Sequence, residues 1–353
     1  MPDVWTWFQG YRASLYHSGT PAHHEMLQVY DRANFLGGAS SHLGLPLLHE
    51  TRRRADDLGE TCFSLFLAHW ITENLLWQSR DYAAALENAL GAVLTMRKVK
   101  DRACPLEDRL HINLIEVYTE VDPGGYRREI EDNLDYVTKN VELDYESHCM
   151  MAFRHGLMHA RLGEDEAARS EANRCLATVE EARGADYYRA VAHFVLSVVA
   201  FKSGDMPALR TTAAIGARMT RSGVPPIYEA EFALWEALAV RRLGENGADA
   251  KLREAVILGQ RDPGALSFAY FDALVAWQVD QEKFADAIAA REAQSKVIDG
   301  HGRALDTVEL WLDGVKLRQK AGLPTDEAAQ AVRDAAAKLR QPQPYLDQLA
   351  ALL

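Results

Sequence analysis

The sequence predicts an all-α protein built as an array of antiparallel helix pairs. Apolar residues recur at spacings of three and four, which is helical periodicity, and no useful stretch alternates like a β-strand. Turn signals recur about every 40 residues, near residues 81, 124, 163, 204, 245, 282 and 322. A fixed period of this length with two helices per unit is typical of a helical solenoid.

Residues 1–59 predict an irregular N-terminal cap of three helices. Apolar and aromatic residues over 3–17 form the first helix, and Pro46 begins the third, which ends near residue 58. Between them, Thr20 is a good N-cap and Pro21 suits the first helical position of a helix that ends near residue 36.

Residues 60–341 predict seven helix pairs, and 342–353 a capping helix, with dimerisation as the alternative role for that tail. The pair over Tyr145–Glu181 illustrates the pattern, because Gly163 ends its first helix and three carboxylates open the second. The predicted pairs are 60–78 with 83–96, 106–120 with 126–140, 145–162 with 164–181, 187–202 with 206–219, 227–242 with 248–259, 266–279 with 284–297, and 304–320 with 326–339.

Composition limits the functional classes. The chain has 353 residues, 48% of them hydrophobic and 25% charged, as in soluble globular proteins, with a formal net charge of -12. Because phosphate contacts require clustered Lys and Arg, we expect neither a nucleic-acid partner nor a membrane partner. The N-terminus shows no signal peptide and no run approaches 18 apolar residues, so we expect a cytoplasmic protein. The scattered cysteines, Cys62, Cys104, Cys149 and Cys175, are expected to be buried free thiols.

The turns and second helices resemble the tetratricopeptide repeat family. Asp81-Tyr82-Ala83-Ala84-Ala85-Leu86 and Lys283-Phe284-Ala285-Asp286-Ala287-Ile288 match its aromatic residue followed by an Ala-Leu type of pair. Gly163-Glu164-Asp165 with Ala168, and Gly204-Asp205 with Leu209, match more loosely. The resemblance covers about 60–340 and is closer to the longer 40-residue variety of bacterial maltose-regulator-type sensor domains. It implies a right-handed superhelical solenoid.

The resemblance also implies a binding surface, because in this family the first helix of each pair lines a concave groove. An aromatic or apolar track and a basic ladder with Arg161, Lys202 and Arg242 would suit an acidic or amphipathic peptide. Packing between helices is the alternative for the track, and cations at helix C-termini for the ladder. The implied contacts are Trp70, Asn74, Trp77, Phe153, Arg154, Leu157, Arg161, Phe194, Val198, Lys202, Leu234, Arg241 and Arg242.

No sequence motif identifies a catalysed reaction. His148, His155 and His159 share a helix face, where packing histidines compete with a Zn²⁺ site. The pair His23-His24 does not begin a zinc-protease motif, since no second histidine follows at the required offset. We expect no catalytic residue, no metal and no cofactor.

The sequence therefore predicts a non-enzymatic scaffold or adaptor that holds a protein or peptide segment. The alternative is a regulatory sensor that binds a small molecule or signal peptide and acts through a partner protein. A third hypothesis is an enzyme that uses the three histidines with a metal. The identity of the partner and the oligomeric state stay open.

Overall fold

A computed structural model describes residues 4–38, 43–99, 104–181, 185–221, 228–261, 268–298 and 303–353. These residues form α-helices joined by short turns, and no strand is present among them. The helices are α1 Val4–Ser18, α2 Pro21–Phe35, α3 Leu45–Asp57, α4 Thr61–Asn74, α5 Tyr82–Met96, α6 Glu107–Val121, α7 Arg127–Asn140, α8 Tyr145–Arg161, α9 Asp165–Thr178, α10 Ala185–Ser203, α11 Met206–Arg221, α12 Glu229–Arg242, α13 Ala248–Arg261, α14 Phe268–Val279, α15 Phe284–Ile298, α16 Ala304–Lys320, α17 Asp326–Ala336 and α18 Gln343–Leu352.

Every predicted helix is present, and most boundaries agree within two residues. Helices α4, α9 and α17 end three or four residues early, at Asn74, Thr178 and Ala336, against predicted ends at 78, 181 and 339. The predicted helix starts at residues 3, 227 and 266 lie outside the described residues. Helix α4 continues into one π-helical turn, Leu75–Ser79, which the periodicity did not predict.

The local signals that end and begin helices behave as their chemistry requires. Thr20 caps α2 by accepting a hydrogen bond from the backbone N–H of His23, and Pro21 occupies the first turn. Gly163 has a φ of 76° between α8 and α9. There the N–H of Glu164 donates to the carbonyl of His159 at 2.9 Å, which satisfies an otherwise unpaired helix-end carbonyl.

The chain divides into two compact units. Unit 1 comprises 1–120 and 128–147, and unit 2 comprises 121–127 and 148–353. This division falls inside the stretch that the sequence treats as one repeat array. The predicted boundaries at residues 59/60 and 341/342 stay predictions.

Unit 1 has an aromatic core in which α1, α2 and α4 meet. The ring of Phe8 stacks on Phe66 with 4.5 Å between centroids and on Phe63 with 5.9 Å. Tyr30 from α2 packs edge-on against Phe63 at 5.5 Å. The irregular cap is thus tied to the first regular helix pair by ring contacts.

Unit 2 has a continuous core in which large side chains of α8, α10, α12 and α14 meet small ones of α9, α11 and α13. Trp235 and Trp277 are fully buried in the same cluster as the small residues Ala172 and Cys175. Gly216 of α11 is required at its position, since a Cβ atom there would lie 2.3 Å from the ring of Phe232. Small residues on the second helices therefore let the paired helices approach closely.

Helix α18 covers the end of the array. Leu349 is buried with residues of α16 and α17, and Tyr345, Leu346 and Leu352 pack against the same cluster. The amide of Gln319 also bonds the carbonyl of Leu352. These contacts hold the tail on α16 and α17, and its capping role stays a prediction.

All four cysteines are free thiols, three of them buried and Cys62 half-buried. Among the described residues no helix combines the length and apolar composition that crossing a membrane requires.

Candidate functional site

Three of the predicted contacts lie in unit 1, and none is a fully open surface residue. Trp70 is half-buried, with its ring 5.4 Å from that of Trp5. Asn74 is fully buried, and its side-chain oxygen accepts a hydrogen bond from Ser79 Oγ at 3.0 Å. Trp77 is half-buried within the π-helical turn.

The predicted apolar track of unit 2 is buried. Its members are at most 2% exposed and belong to the continuous core. Side chains without accessible surface hold helices together and offer a partner nothing to touch in this conformation. The burial of these side chains fits the packing alternative and not the expected binding track. They are Phe153, Leu157, Phe194, Val198 and Leu234.

The predicted cations have partners within the chain. Arg154 is 1% exposed, and its guanidinium lies 4.4 Å from the centre of the Phe153 ring. Arg241 lies 4.8 Å from the ring of Trp277. Arg242 forms a two-pronged ion pair with Asp280, at 2.7 and 3.0 Å. The ladder is therefore largely neutralised by the protein's own groups.

Arg161 at the end of α8 is also buried. Its guanidinium bonds the carboxylate of Asp306, is 3.6 Å from that of Glu309, and lies 4.6 Å from the ring of Phe268. Arg303 pairs with the same Asp306. Residues 145 positions apart in sequence are thus joined inside unit 2.

Lys202 occupies the equivalent end of α10. Its ammonium donates to the backbone carbonyl of Arg161 at 3.0 Å, so it satisfies the C-terminal end of the neighbouring helix α8. Burial raises the pKa values of Asp272 and Glu309, and the positive charge of Lys202 opposes part of that rise. We call Arg161, Lys202, Asp272, Asp306 and Glu309 the Arg161 cluster.

Two acidic members of the Arg161 cluster, Asp272 and Glu309, are partly accessible, whereas Asp306 is buried. Burial raises the pKa of Asp272, although Arg291 lies 2.6 Å away and counteracts this. Burial likewise raises the pKa of Glu309, against the nearby charge of Arg161. Yet Glu309 keeps 39% of its side-chain surface and Asp272 keeps 29%. Carboxylates that are both accessible and closely surrounded are typical of a narrow binding space.

Tyr345 of α18 borders the same charges. Burial raises the pKa of its hydroxyl to about 12, and the negative charges of Glu309 and Asp122 add to the effect. Sequence reasoning missed Tyr345 and all the acidic members, because it looked for repeated cations. The signal was present, since Asp272, Asp306 and Glu309 lie on the first helices of their pairs.

The three histidines of α8 do not act together. His148 is exposed, whereas the Nε2 atoms of His155 and His159 lie 3.0 Å apart. Among the described residues no group of three or more potential metal ligands comes together.

Comparison with known proteins gives structural neighbours only. No family model matches the chain, and no curated protein matches it. The crystal structure of NprR in complex with its cognate peptide NprX has a TM-score of 0.60 and 13% identity, over 94% of this chain and 92% of that one. The apo form of the quorum sensor NprR from B. thuringiensis has a TM-score of 0.58 and 12% identity, with the same coverage. The chain therefore has an all-helical, tetratricopeptide-type fold of antiparallel helix pairs, as the sequence predicted.

Proposed function

We propose that the protein is a binding protein whose unit 2 holds a peptide segment at the Arg161 cluster. One observation carries the proposal: Lys202 and Glu309 have opposite charges, both keep accessible surface, and lie near enough for the charge of Lys202 to act on Glu309. Among the described residues Lys202 lies within ion-pair distance of no carboxylate, and the nearest cation to Glu309 is Arg161 at 3.6 Å. Support also comes from the peptide complex of NprR, which has the same fold.

The charge arrangement predicts the chemistry of the peptide. Arg161 and Arg242 are matched by Asp306 and Asp280, so a purely acidic segment would compete with existing ion pairs. A segment with both signs fits better, because its carboxylate can reach Lys202 while its cation meets Glu309. The recognised partner is thus an amphoteric peptide, in place of the acidic one that the sequence suggested.

The wider assignment follows from this site. We assign the site to a non-enzymatic scaffold or sensor, for which we expect a cytoplasmic location. The repeat length of about 40 residues supports the longer tetratricopeptide variety.

The proposal is tested by direct binding to the full chain. A positional-scanning library of synthetic octapeptides is screened by fluorescence anisotropy, and we expect selection of one acidic and one basic position. Lys202→Glu and Glu309→Lys should each weaken the selected peptide at least tenfold. The matched control is Lys320→Glu, an exposed lysine at the C-terminal end of α16, which should leave affinity unchanged. Equal affinity in all three variants would remove the Arg161 cluster from the site.

A small charged molecule is the second candidate ligand, favoured by the likeness to a quorum sensor. The sensor hypothesis expects a metabolite to raise the melting temperature of the protein and to displace the peptide. A peptide that binds without such competition would favour the scaffold.

A further inference from the structure

Two histidine rings and two carboxylates form a chain of contacts along one side of α8. His155 and His159 are one helical turn apart, and their Nε2 atoms face each other at 3.0 Å. The Nδ1 atom of His159 is 2.5 Å from Glu164 of the following turn. The Nδ1 atom of His155 is 3.1 Å from Glu171 of α9. Both rings are therefore held between a carboxylate and each other.

Each of the two carboxylates also has a cationic neighbour, which suits a carboxylate that accepts hydrogen bonds. Arg127 lies 2.5 Å from Glu164, and Arg174 donates a hydrogen bond to Glu171 at 2.8 Å. Because an ionised carboxylate only accepts, each Nδ1 carries the hydrogen and donates it.

With a hydrogen on each Nδ1, each Nε2 is left as an acceptor, and the two Nε2 atoms lie 3.0 Å apart. Two acceptors at this distance repel unless a cation lies between or beside them. A proton on one ring meets this requirement, and so does a metal ion bound by both. Metal titration distinguishes the two.

We propose that His155 and His159 chelate a divalent transition-metal ion, with Cu²⁺ and Ni²⁺ preferred over Zn²⁺. Metal–nitrogen bonds of about 2.0–2.1 Å that reach atoms 3.0 Å apart enclose an angle of roughly 95°. That angle suits adjacent positions of the square-planar geometry of Cu²⁺ and Ni²⁺, whereas a tetrahedral Zn²⁺ site prefers a wider separation. The affinity order of divalent ions also places Cu²⁺ first.

The surroundings of the two rings are those of metal-binding histidines. Such histidines donate their other ring N–H to a carboxylate, which fixes the tautomer and raises the basicity of the ligand nitrogen. Glu164 and Glu171 hold both rings in this way. His155 keeps 22% of its side-chain surface, which gives an ion a path to the pair. The protein supplies two ligands, and water completes the coordination.

The test is metal titration of the full chain with Cu²⁺, Ni²⁺ and Zn²⁺ separately, by calorimetry. We expect one site per chain, tightest for Cu²⁺, and an electron paramagnetic resonance spectrum showing two nitrogen ligands. His155→Ala and His159→Ala should each lose that site, with at least a tenfold drop in Cu²⁺ affinity. Glu171→Gln keeps a hydrogen-bond acceptor but loses its charge, so it should weaken Cu²⁺ about tenfold while the fold is retained.

The matched control is His148→Ala, which removes an exposed histidine of the same helix and should leave Cu²⁺ affinity unchanged. If Cu²⁺ binding is the same in His155→Ala, His159→Ala and His148→Ala, the pair holds only a proton and the inference is wrong. Peptide binding at the Arg161 cluster is measured separately, so either result can fail without the other.

Discussion

At the scale of single residues, buried charges have the largest expected effect on the stability of this protein. The Arg161 side chain is 1% exposed, as is that of Asp306. Removing two charges from water costs several kcal/mol each, and their attraction offsets the cost only when geometry is favourable. Arg303 on the other side of Asp306, and the ring of Phe268 beneath Arg161, complete the surroundings that make the pair tolerable.

Arg161→Met should therefore destabilise the protein strongly. Deleting one partner of a buried ion pair leaves the other charge without full compensation, which costs about 3–5 kcal/mol in free energy of unfolding. Lys202→Met is the comparison, because it removes a single hydrogen bond to a carbonyl and should cost only about 0.5–1.5 kcal/mol. Urea denaturation of both variants measures the difference.

A cost for Arg161→Met no larger than that for Lys202→Met would show that water reaches the Arg161–Asp306 pair. The same contrast means that replacing Arg161 would change stability as well as binding. Of the two cations, only Lys202 is suited to a binding test.

Prediction of the site from sequence was limited at this scale. Spacing identified Arg161 and Lys202 as repeated cations, but their partners lie far along the chain. Asp306 is 145 residues from Arg161. Helical periodicity is a local property and carries no information about which distant helix supplies a counter-charge. The same limit explains why Phe153 and Phe194 could be identified as a stripe but not as a buried one.

At the scale of helices, the turns between paired helices share one geometry with different residues. Gly163, Gly204, Gly244 and Gly322 have φ values between 67° and 76°. Glu282 takes the same place between α14 and α15 with a φ of 58°. In each turn the next residue donates back to a carbonyl of the final helical turn, as Lys283 does to Gln278 at 3.0 Å. The backbone therefore requires the left-handed conformation whatever the side chain.

Glu282→Gly should stabilise the protein. A side chain in the left-handed region costs roughly 1–2 kcal/mol, and glycine removes much of that strain while increasing the freedom of the unfolded chain. We expect a net gain of about 0.5–1 kcal/mol in the free energy of unfolding, measured by denaturant titration. Gly244→Ala is the reverse change at an equivalent turn and should destabilise by a similar amount. Equal stability of the two variants would contradict this account of the turn.

Local chemistry explains why the helices were predicted well. Glycine at a helix end, carboxylates in a first turn and an apolar repeat act within a few residues, so the sequence displays them directly. The π-helical turn Leu75–Ser79 was not predicted because no local sequence signal marks it. It is followed by Arg80 in the left-handed conformation, where most equivalent turns have glycine. The division into two units also depends on packing between distant helices.

At the scale of the whole molecule, unit 2 brings distant parts of its chain together. The loop that follows α6 contacts the segment between α17 and α18. Asp122 is 4% exposed and accepts hydrogen bonds from the backbone N–H of Gly125, at 2.9 Å, and of Arg340, at 3.1 Å. The guanidinium of Arg340 in turn donates to the carbonyl of Gly125 and lies 4.6 Å from the ring of Tyr126. One carboxylate thus shapes a turn and fixes the C-terminal segment upon it.

Asp122→Ala should release both contacts at once. A buried backbone N–H that loses its acceptor costs about 1–3 kcal/mol, and two such groups are affected. Because water entering the loop relieves part of this cost, we expect the free energy of unfolding to fall by about 2–4 kcal/mol in total. Hydrogen exchange at the amide of Arg340 should accelerate, and α18 should lose protection with it. Asp334→Ala, which removes an exposed carboxylate of α17, is the control and should change neither measurement. If α18 keeps its protection in Asp122→Ala, its apolar packing on α16 and α17 is sufficient to close unit 2, and Asp122 only shapes the local turn.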